Sequence, residues 1–376
     1  MESRFAESPL HNAHPTIFDV IIIGGGIAGS STAIRLAQLF NSAAATWRKI
    51  LVIDERTTNA EMFKVGESLP GEAKHILKSL GVFEAVNNDT MKGTGTRMIF
   101  VYVVIYTFNQ LILLSAYRSL FEETLVKTAG TQHGRFITII RGSVTKALLV
   151  KNADDEKYWK VSVLSNELQI HGNILIDASG RRCFVRKCLP DLKRSLDTLL
   201  AFACLFETVT SQPPDSDHYT LVESCAFGWW YTSLLPSKQR IVIFHTDDDL
   251  IKQISKKRKI RQVEEFYDFM KETAIHTTKR INDHSYLPVG KRVMCMPTNS
   301  ECLSQFASCE NRWIAIGDSA VSFDPLSSQG MLTALYSAKL GAEAIFFQYF
   351  NSKKPRNNEV TVQPLEIFQK YIEDTF

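Results

Sequence analysis

Asp19-Val20-Ile21-Ile22-Ile23-Gly24-Gly25-Gly26-Ile27-Ala28-Gly29-Ser30-Ser31 is the stretch whose reading decides the fold. Residues 20–23 are apolar and β-branched, as a strand buried on both faces requires. Gly24-x-Gly26-x-x-Gly29 follows at once, and Thr32-Ala33-Ile34-Arg35-Leu36-Ala37 reads as a helix. A glycine-rich turn between a parallel strand and a helix is a dinucleotide cradle. Gly24 allows the tight turn, Gly26 lets the backbone approach a pyrophosphate, and Gly29 lets the helix pack against the strand. Gly24, Gly26, Ala28 and Gly29 are the cradle positions. The helix N-terminus offers N–H groups and partial positive charge to phosphates.

A second strand, Lys49-Ile50-Leu51-Val52-Ile53, runs into Asp54 and Glu55. A carboxylate about 20 residues or slightly more past the glycines accepts the ribose hydroxyls of an adenosine half. Asp54 is the first residue after the apolar run and the preferred candidate; Glu55 is the alternative. An acid here fits FAD or NAD better than NADP, whose extra phosphate prefers arginine.

The chain has 376 residues, enough for a sizeable core and two domains. A net charge of +3 implies no polyanionic partner, so no nucleic acid is expected. Seven cysteines and nine histidines are scattered without zinc spacing, which fits reduced thiols in the cytoplasm and no metal. Residues 1–16 lack the apolar core of a signal peptide and read as a disordered lead-in. The basic run 256–261 reads as a solvated helix face, with targeting or nucleic-acid contact as the lesser reading.

Lys64-Val65-Gly66-Glu67-Ser68-Leu69-Pro70 precedes a helix over residues 72–80 that closes at Gly81. This loop and helix resemble those of the flavin-dependent halogenase-like oxidoreductases, which include tryptophan and phenol halogenases and flavoproteins that modify amino-acid side chains. The resemblance implies that the loop lies over the flavin, making Gly66, Glu67 and Ser68 flavin-side candidates. In those proteins a partly polar segment then ends in an arginine before a helix. Arg118 before Ser119-Leu120-Phe121 matches that ending and is a further cofactor candidate. Residues 98–116 do not match: they are almost wholly apolar and near the lower length limit for a membrane span. A divergent buried strand, a faulty gene model and membrane attachment are the three readings. The halogenase lysine belongs to this region; neither Lys92 nor Arg97 sits in an alignable motif, so the catalytic residue stays unassigned.

Residues 158–164 and 168–176 read as a hairpin, the second strand closing in Asp177-Ala178-Ser179-Gly180. Small residues at that strand end resemble a second flavoprotein fingerprint. From 196 to 295 strand-like runs dominate (199–209, 219–222, 228–234, 240–245), with helices at 249–255 and 262–273. This is the expected sheet domain covering the flavin. Gly228-Trp229-Trp230-Tyr231 resembles a tryptophan-halogenase motif in which Tyr231 replaces a second tryptophan and Ser233-Leu234 replaces Ile-Pro, a departure that weighs against halogenation. Trp229, Trp230 and Tyr231 are the candidate aromatic wall of the substrate pocket.

Arg312-Trp313-Ile314-Ala315-Ile316 is a buried strand followed by Gly317-Asp318-Ser319-Ala320, then Asp324-Pro325, then Gly330-Met331 and a helix to about 347. This resembles the third flavoprotein fingerprint. It implies Asp318 on the ribityl chain, Pro325 as a rigid turn beside the ring, and Gly330 and Met331 at the pyrimidine edge. Strand 312–316 is expected to run parallel to 20–23, with Asp318 and Gly330 on one face. The helix start would stabilise charge on a reduced flavin.

The expected fold is α/β: a discontinuous Rossmann-type FAD-binding domain (17–195 and 296–376) with an inserted, mainly β substrate domain (196–295). The resemblance implies an FAD-dependent monooxygenase acting on a small organic molecule through a flavin hydroperoxide, of the kind found in secondary metabolism, with NAD(P)H or a separate flavin reductase as electron source. A halogenase is the first alternative. The resembling proteins continue past residue 376, so a truncated, non-catalytic flavin-fold protein is the second.

Overall fold

The computed structural model describes residues 17–56, 68–88, 90–93, 95–99, 105–108, 113–116, 118–164, 168–188, 193–208, 215–351 and 364–375. The lead-in 1–16 lies outside them, as do Gly66, Glu67 and the side chains of Ser68, Lys92 and Arg97.

Five parallel strands form the heart of the first sheet. Their spatial order is Trp313–Ala315, Leu168–Asp177, Ile17–Ile23, Ile50–Asp54 and Ile137–Arg141. Ile23 lies level with Asp177 on one side and with Ile53 on the other. The strand ends carrying Gly24, Asp54, Ala178 and Gly317 therefore open on one edge of the sheet. Val20, Ile21 and Ile22 are fully buried, which is why the run shows no polar alternation. Helices Ile27–Ser42, Arg118–Gln132 and Gly330–Ile345 share the core with these strands. The hairpin Val144–Lys151 and Lys157–Val163 joins Leu168–Asp177 antiparallel, as the sequence predicts for 158–176.

The second sheet is built around Leu199–Thr208, Arg240–Asp247, Gly228–Leu234 and Tyr219–Cys225, all antiparallel neighbours. Val242 and Phe244 face a core shared with helices Asp248–Ser255, Val263–Thr273 and Ile275–Asp283. The sequence predicts only the first two helices. Ala274, at φ −138° and ψ 78°, breaks the helix and a further one starts directly after it.

The apolar stretch 98–116 is not one strand. Gly95–Ile99 pairs parallel with Tyr219–Cys225, and Ile105–Phe108 pairs antiparallel with Gly95–Ile99. Both belong to the second sheet rather than the first. Leu113–Ala116 pairs with Ser68–Leu69 and Thr90–Gly93 in a small separate sheet. β-Branched and aromatic residues suit such pairing. Among the described residues no helix is long and apolar enough to cross a membrane.

Candidate functional site

The glycine loop fits a ligand by elimination. Gly24 takes φ +104°, and a side-chain carbon there would lie 2.3 Å from the Ala178 carbonyl oxygen. One on Gly29 would lie 1.9 Å from the Gly24 carbonyl oxygen. Both glycines are demanded by the protein's own packing. Gly26 differs: among the described residues a side-chain carbon there would meet only Glu122 Oε1, at 3.7 Å. None of the described residues needs that glycine, so its open space is the natural approach for a ligand. Gly26 also starts the helix Ile27–Ser42 without a side-chain cap and with no acidic residue in its first turn. The helix start thus keeps its affinity for phosphate oxygens. Ala28 packs beneath, its Cβ where a side chain on Gly317 would collide.

Asp54 and Glu55 stand in different surroundings. Asp54 is buried under Gly25. Its Oδ2 accepts hydrogen bonds from Arg56 Nε at 2.8 Å and from Arg141 Nη1. Arg56 also donates to Glu122 Oε2 at 2.9 Å and to the Gly25 carbonyl at 2.6 Å. Arg118 Nε donates to Glu122 Oε1 at 3.1 Å. Three guanidiniums and two carboxylates thus form one network behind the loop. Glu55 lies outside it, solvent-exposed, in an ion pair with Arg182.

At the other end of the crevice Asp177 is buried, and its carboxylate accepts from the Ser179 and Val185 N–H groups at 2.9 and 2.6 Å. That shapes the turn which presses Ala178 against Gly24. Gly317 (φ +60°) turns the chain after Trp313–Ala315, and Ser337 Oγ accepts from its N–H at 2.9 Å. Asp318 Oδ2 lies 3.7 Å from Arg181 Nε. A side-chain carbon on Gly330 would lie 4.0 Å from Asp318 Oδ1. Asp318 and Gly330 thus face each other at the start of helix Gly330–Ile345, with buried Met331 behind. Pro325 opens a tight turn capped by Asp324, whose Oδ1 accepts from Leu326 N–H at 2.7 Å. Burial raises the Asp324 carboxyl above its ordinary range, and the Asp197 and Asp247 carboxylates add to this against the Leu326 N–H. Arg181 holds these parts together, donating to the carbonyls of Asn299 at 2.5 Å and Phe323 at 3.1 Å.

The aromatic run divides between two faces. Successive side chains on a strand alternate. Trp230 is fully buried on the helix-covered side, packed at tilted and edge-on angles among Phe244, Phe266 and Phe269, with Nε1 donating to Thr273 Oγ1 at 3.1 Å. It is a core residue, which corrects its place in the expected pocket wall. Trp229 and Tyr231 belong to the opposite face, with Ala201, Ala203, Ile243, Met294 and Met296. His245 stands level with Trp229 on that face, and the two rings stack at 3.7 Å and 12°. The strand Met294–Pro297 that borders this face leads to Asn299, whose carbonyl accepts from Arg181.

Comparison with known proteins agrees with this architecture. No family model matches the chain. LodB of Marinomonas mediterranea, provisionally named an FAD-dependent oxidoreductase, is 22% identical over 336 residues, covering 85% of this chain and 82% of LodB. The 1H-pyrrole-2-carbonyl-[peptidyl-carrier protein] brominase of Pseudoalteromonas luteoviolacea is 22% identical over 348 residues, covering 87% and 77%. The solved structure of the flavin-dependent brominase Bmp2 superposes with a TM-score of 0.76 at 20% identity, covering 95% of this chain and 84% of that one. The fold is that of the halogenase-like FAD oxidoreductases.

Within that fold, the structure brings together Gly24, Gly26, Ala28, Gly29, Asp54, Arg118, Asp318, Pro325, Gly330 and Met331 along one edge, while Glu55 sits at its rim. Sequence reasoning missed Arg56, Glu122, Arg181 and His245. Arg56 directly follows the acid pair, and Arg181 directly follows Asp-Ala-Ser-Gly, so position beside a recognised motif was the available signal. Glu122 and His245 lie within a helix and a strand and carry no such signal.

Proposed function

We propose that the chain is an FAD-dependent oxidoreductase of the monooxygenase type acting on a small organic substrate. One observation carries the reading: Gly24 packs on Ala178, Gly317 packs on Ala28 while Ser319 Oγ donates to the Asp177 carbonyl, and beside them Gly26, the glycine that no described residue's packing requires, opens on a helix start. Gly26 and the helix behind it would take the pyrophosphate. Glu55, at the rim, would take the ribose hydroxyls, while Asp54 holds Arg56 and Arg141 in place. Asp318 would accept from ribityl hydroxyls, and Pro325, Gly330 and Met331 would border the ring. Gly66, Glu67, Ser68 and Arg118 would close the cofactor side, and Trp229 and Tyr231 would wall the substrate.

FAD, when bound, supplies the redox and oxygen-activating chemistry; the chain binds it, orients the substrate and excludes water. Electrons would come from NAD(P)H binding transiently or from a separate reductase. The FAD unit is discontinuous, residues 17–195 and 296–376, and 196–295 forms an inserted substrate domain to which Gly95–Ile99 and Ile105–Phe108 add two strands. The likeness to a brominase favours halogenation as a second reading.

The test is the absorbance spectrum of the purified full chain after incubation with FAD and gel filtration. A flavin band at stoichiometric FAD is expected. A colourless protein that takes up no FAD would overturn the proposal in favour of a non-catalytic flavin fold. A product whose mass rises only when bromide is present would select the halogenase reading.

A further inference from the structure

Two of the chain's crossings into the second sheet, residues 193–203 and 294–303, lie side by side. Lys193–Ser195 pairs antiparallel with Glu301–Leu303, and residues 200–203 pair antiparallel with Met294–Pro297. Between these pairs the ladder continues. Leu196 N–H donates to the Ser300 carbonyl at 2.9 Å, and Thr298 N–H donates to the Leu199 carbonyl at 2.9 Å. The register slips by one residue on the way: Asp197 and Thr198 stand opposite the single residue Asn299. Such a two-against-one step is a β-bulge, which bends the ribbon and locally interrupts its ladder.

The Asp197 carboxylate fastens the bulge from within, accepting from Ser300 N–H at 3.0 Å and from Leu199 N–H at 3.3 Å. The Asn299 carbonyl is held from outside. Arg181 Nη1 donates to it at 2.5 Å and Ser322 Oγ at 3.0 Å. The same guanidinium reaches two further places. Its Nη2 donates to the Phe323 carbonyl at 3.1 Å, at the head of the turn through Asp324 and Pro325, and its Nε lies 3.7 Å from Asp318 Oδ2. A planar fork of N–H groups holds such a set at fixed angles, and a single ammonium does not. One side chain thus ties the bend of the ribbon to the turn and to the Asp318 carboxylate.

We propose that Arg181 is a positioning residue: by holding the Asn299 carbonyl it sets the bend of the ribbon, and so the seat of the inserted sheet, against the turn 323–328 that borders the flavin site. That the turn serves a flavin rests on the function proposed above; the pinning of the ribbon does not.

Amide hydrogen exchange of the full chain without FAD reads the pin directly. Arg181→Met should speed exchange at least about tenfold, the loss expected for one charge-assisted hydrogen bond, at the ribbon amides of 196, 199, 298 and 300 and at the turn amides of 326–328. Residues 20–23 and 241–244, central in the two sheets, should keep their protection. Arg181→Lys keeps a cation near Asp318 without the fork and should show the same pattern with a smaller rise. Ser322→Ala removes the other donor to Asn299 and should affect the ribbon amides alone. These two milder variants carry the test if Arg181→Met does not fold. Unchanged ribbon exchange in the Arg181 variants would overturn the proposal. So would a rise shared equally by both sheet centres, which marks Arg181 as a general stabiliser. The variants are then loaded with FAD. The absorption band of the bound flavin should shift in Arg181→Met and return toward the wild-type position in Arg181→Lys. An identical band in all three would also overturn the proposal, leaving Arg181 a pin of the ribbon with no hold on the site. A wild type that takes up no FAD would count against the proposed function alone, since the exchange comparison stands without flavin.

Discussion

The Gly24 end and the Gly317 end of the crevice follow one plan, a parallel strand, a positive-φ glycine and a helix, but they are charged differently. At the Gly24 end Asp54 and Glu122 are both buried and tied to Arg56, Arg118 and Arg141. At the Gly317 end Asp318 is partly exposed, and its nearest guanidinium stands at 3.7 Å, beyond hydrogen-bond length. The first end is fixed before any ligand arrives. The second keeps a carboxylate loosely paired, so that ligand hydroxyls can compete for it. A cofactor bound across both would have one half clamped and the reacting half left adjustable.

The largest expected effect separates packing glycines from ligand glycines. Gly29→Val drives a side chain into the Gly24 carbonyl, only 1.9 Å from its first carbon. It should cost about 3 kcal/mol or more, read as a lowered Tm without FAD. Among the described residues Gly26→Val meets only Glu122 Oε1 at 3.7 Å. It should cost at most about 1 kcal/mol, as a poorer N-cap, yet abolish FAD uptake. If Gly26→Val lowers the Tm as far as Gly29→Val, the open space at Gly26 has no ligand role.

Next in size is the split between the two acids. Asp54→Ala strands Arg56 and Arg141, whose side chains are about a third exposed, and should cost about 2 kcal/mol after allowance for solvent. Glu55→Ala breaks only an exposed pair with Arg182 and should leave the FAD-free Tm within about 0.5 kcal/mol. Its cost appears instead as an FAD Kd raised about tenfold. Denaturation with and without FAD checks both, and an unchanged Kd in Glu55→Ala would return the ribose to Asp54.

At the looser end, Asp318→Ala should raise the FAD Kd about fivefold, since ribityl hydrogen bonds go unreplaced. Gly330→Leu places bulk 4.0 Å from Asp318 Oδ1 and should retain some FAD while slowing its reduction. Stopped-flow reduction and the Tm shift on adding FAD distinguish the two. Identical FAD-induced shifts in wild type and Asp318→Ala would break the proposed placement.

What was legible in the sequence was whatever is written locally. Gly24, Gly29 and Gly317 announce themselves because positive φ or a backbone contact admits no side chain. The parallel strands show as unbroken apolar runs. Long-range partnerships were not legible. Arg56 meets Glu122 across 66 residues and Arg141 meets Asp54 across 87. Residues 95–99 reach the second sheet by pairing with 219–223, a crossover that no local pattern specifies. Trp230 was misplaced although the rule that corrects it, alternation along a strand, is local: Trp229 and Tyr231 share a face that Trp230 cannot.

The smallest predicted effect sharpens the contrast between buried groups that are paired and one that is not. Asp54 and Glu122 have their partners, so their charge is compensated. His245 is kept neutral by burial, aided by Arg181, and its pKa is pushed down to about 3. In the unfolded chain it returns to about 6.5. The folded value is depressed, so unfolding takes up a proton wherever the pH lies between the two. His245 therefore contributes almost no pH dependence above about pH 7.5, and stability is lost as the pH falls through the unfolded value of about 6.5 toward 3. At pH 6 the loss relative to pH 8 is about 0.8 kcal/mol from this residue alone. Denaturant melts of wild type and His245→Phe at pH 8 and pH 6 isolate it, because every other titrating group is common to both. The wild type should lose about 0.8 kcal/mol more than the variant between the two pH values. Equal losses would mean that His245 titrates normally in the fold, and so that water reaches the ring.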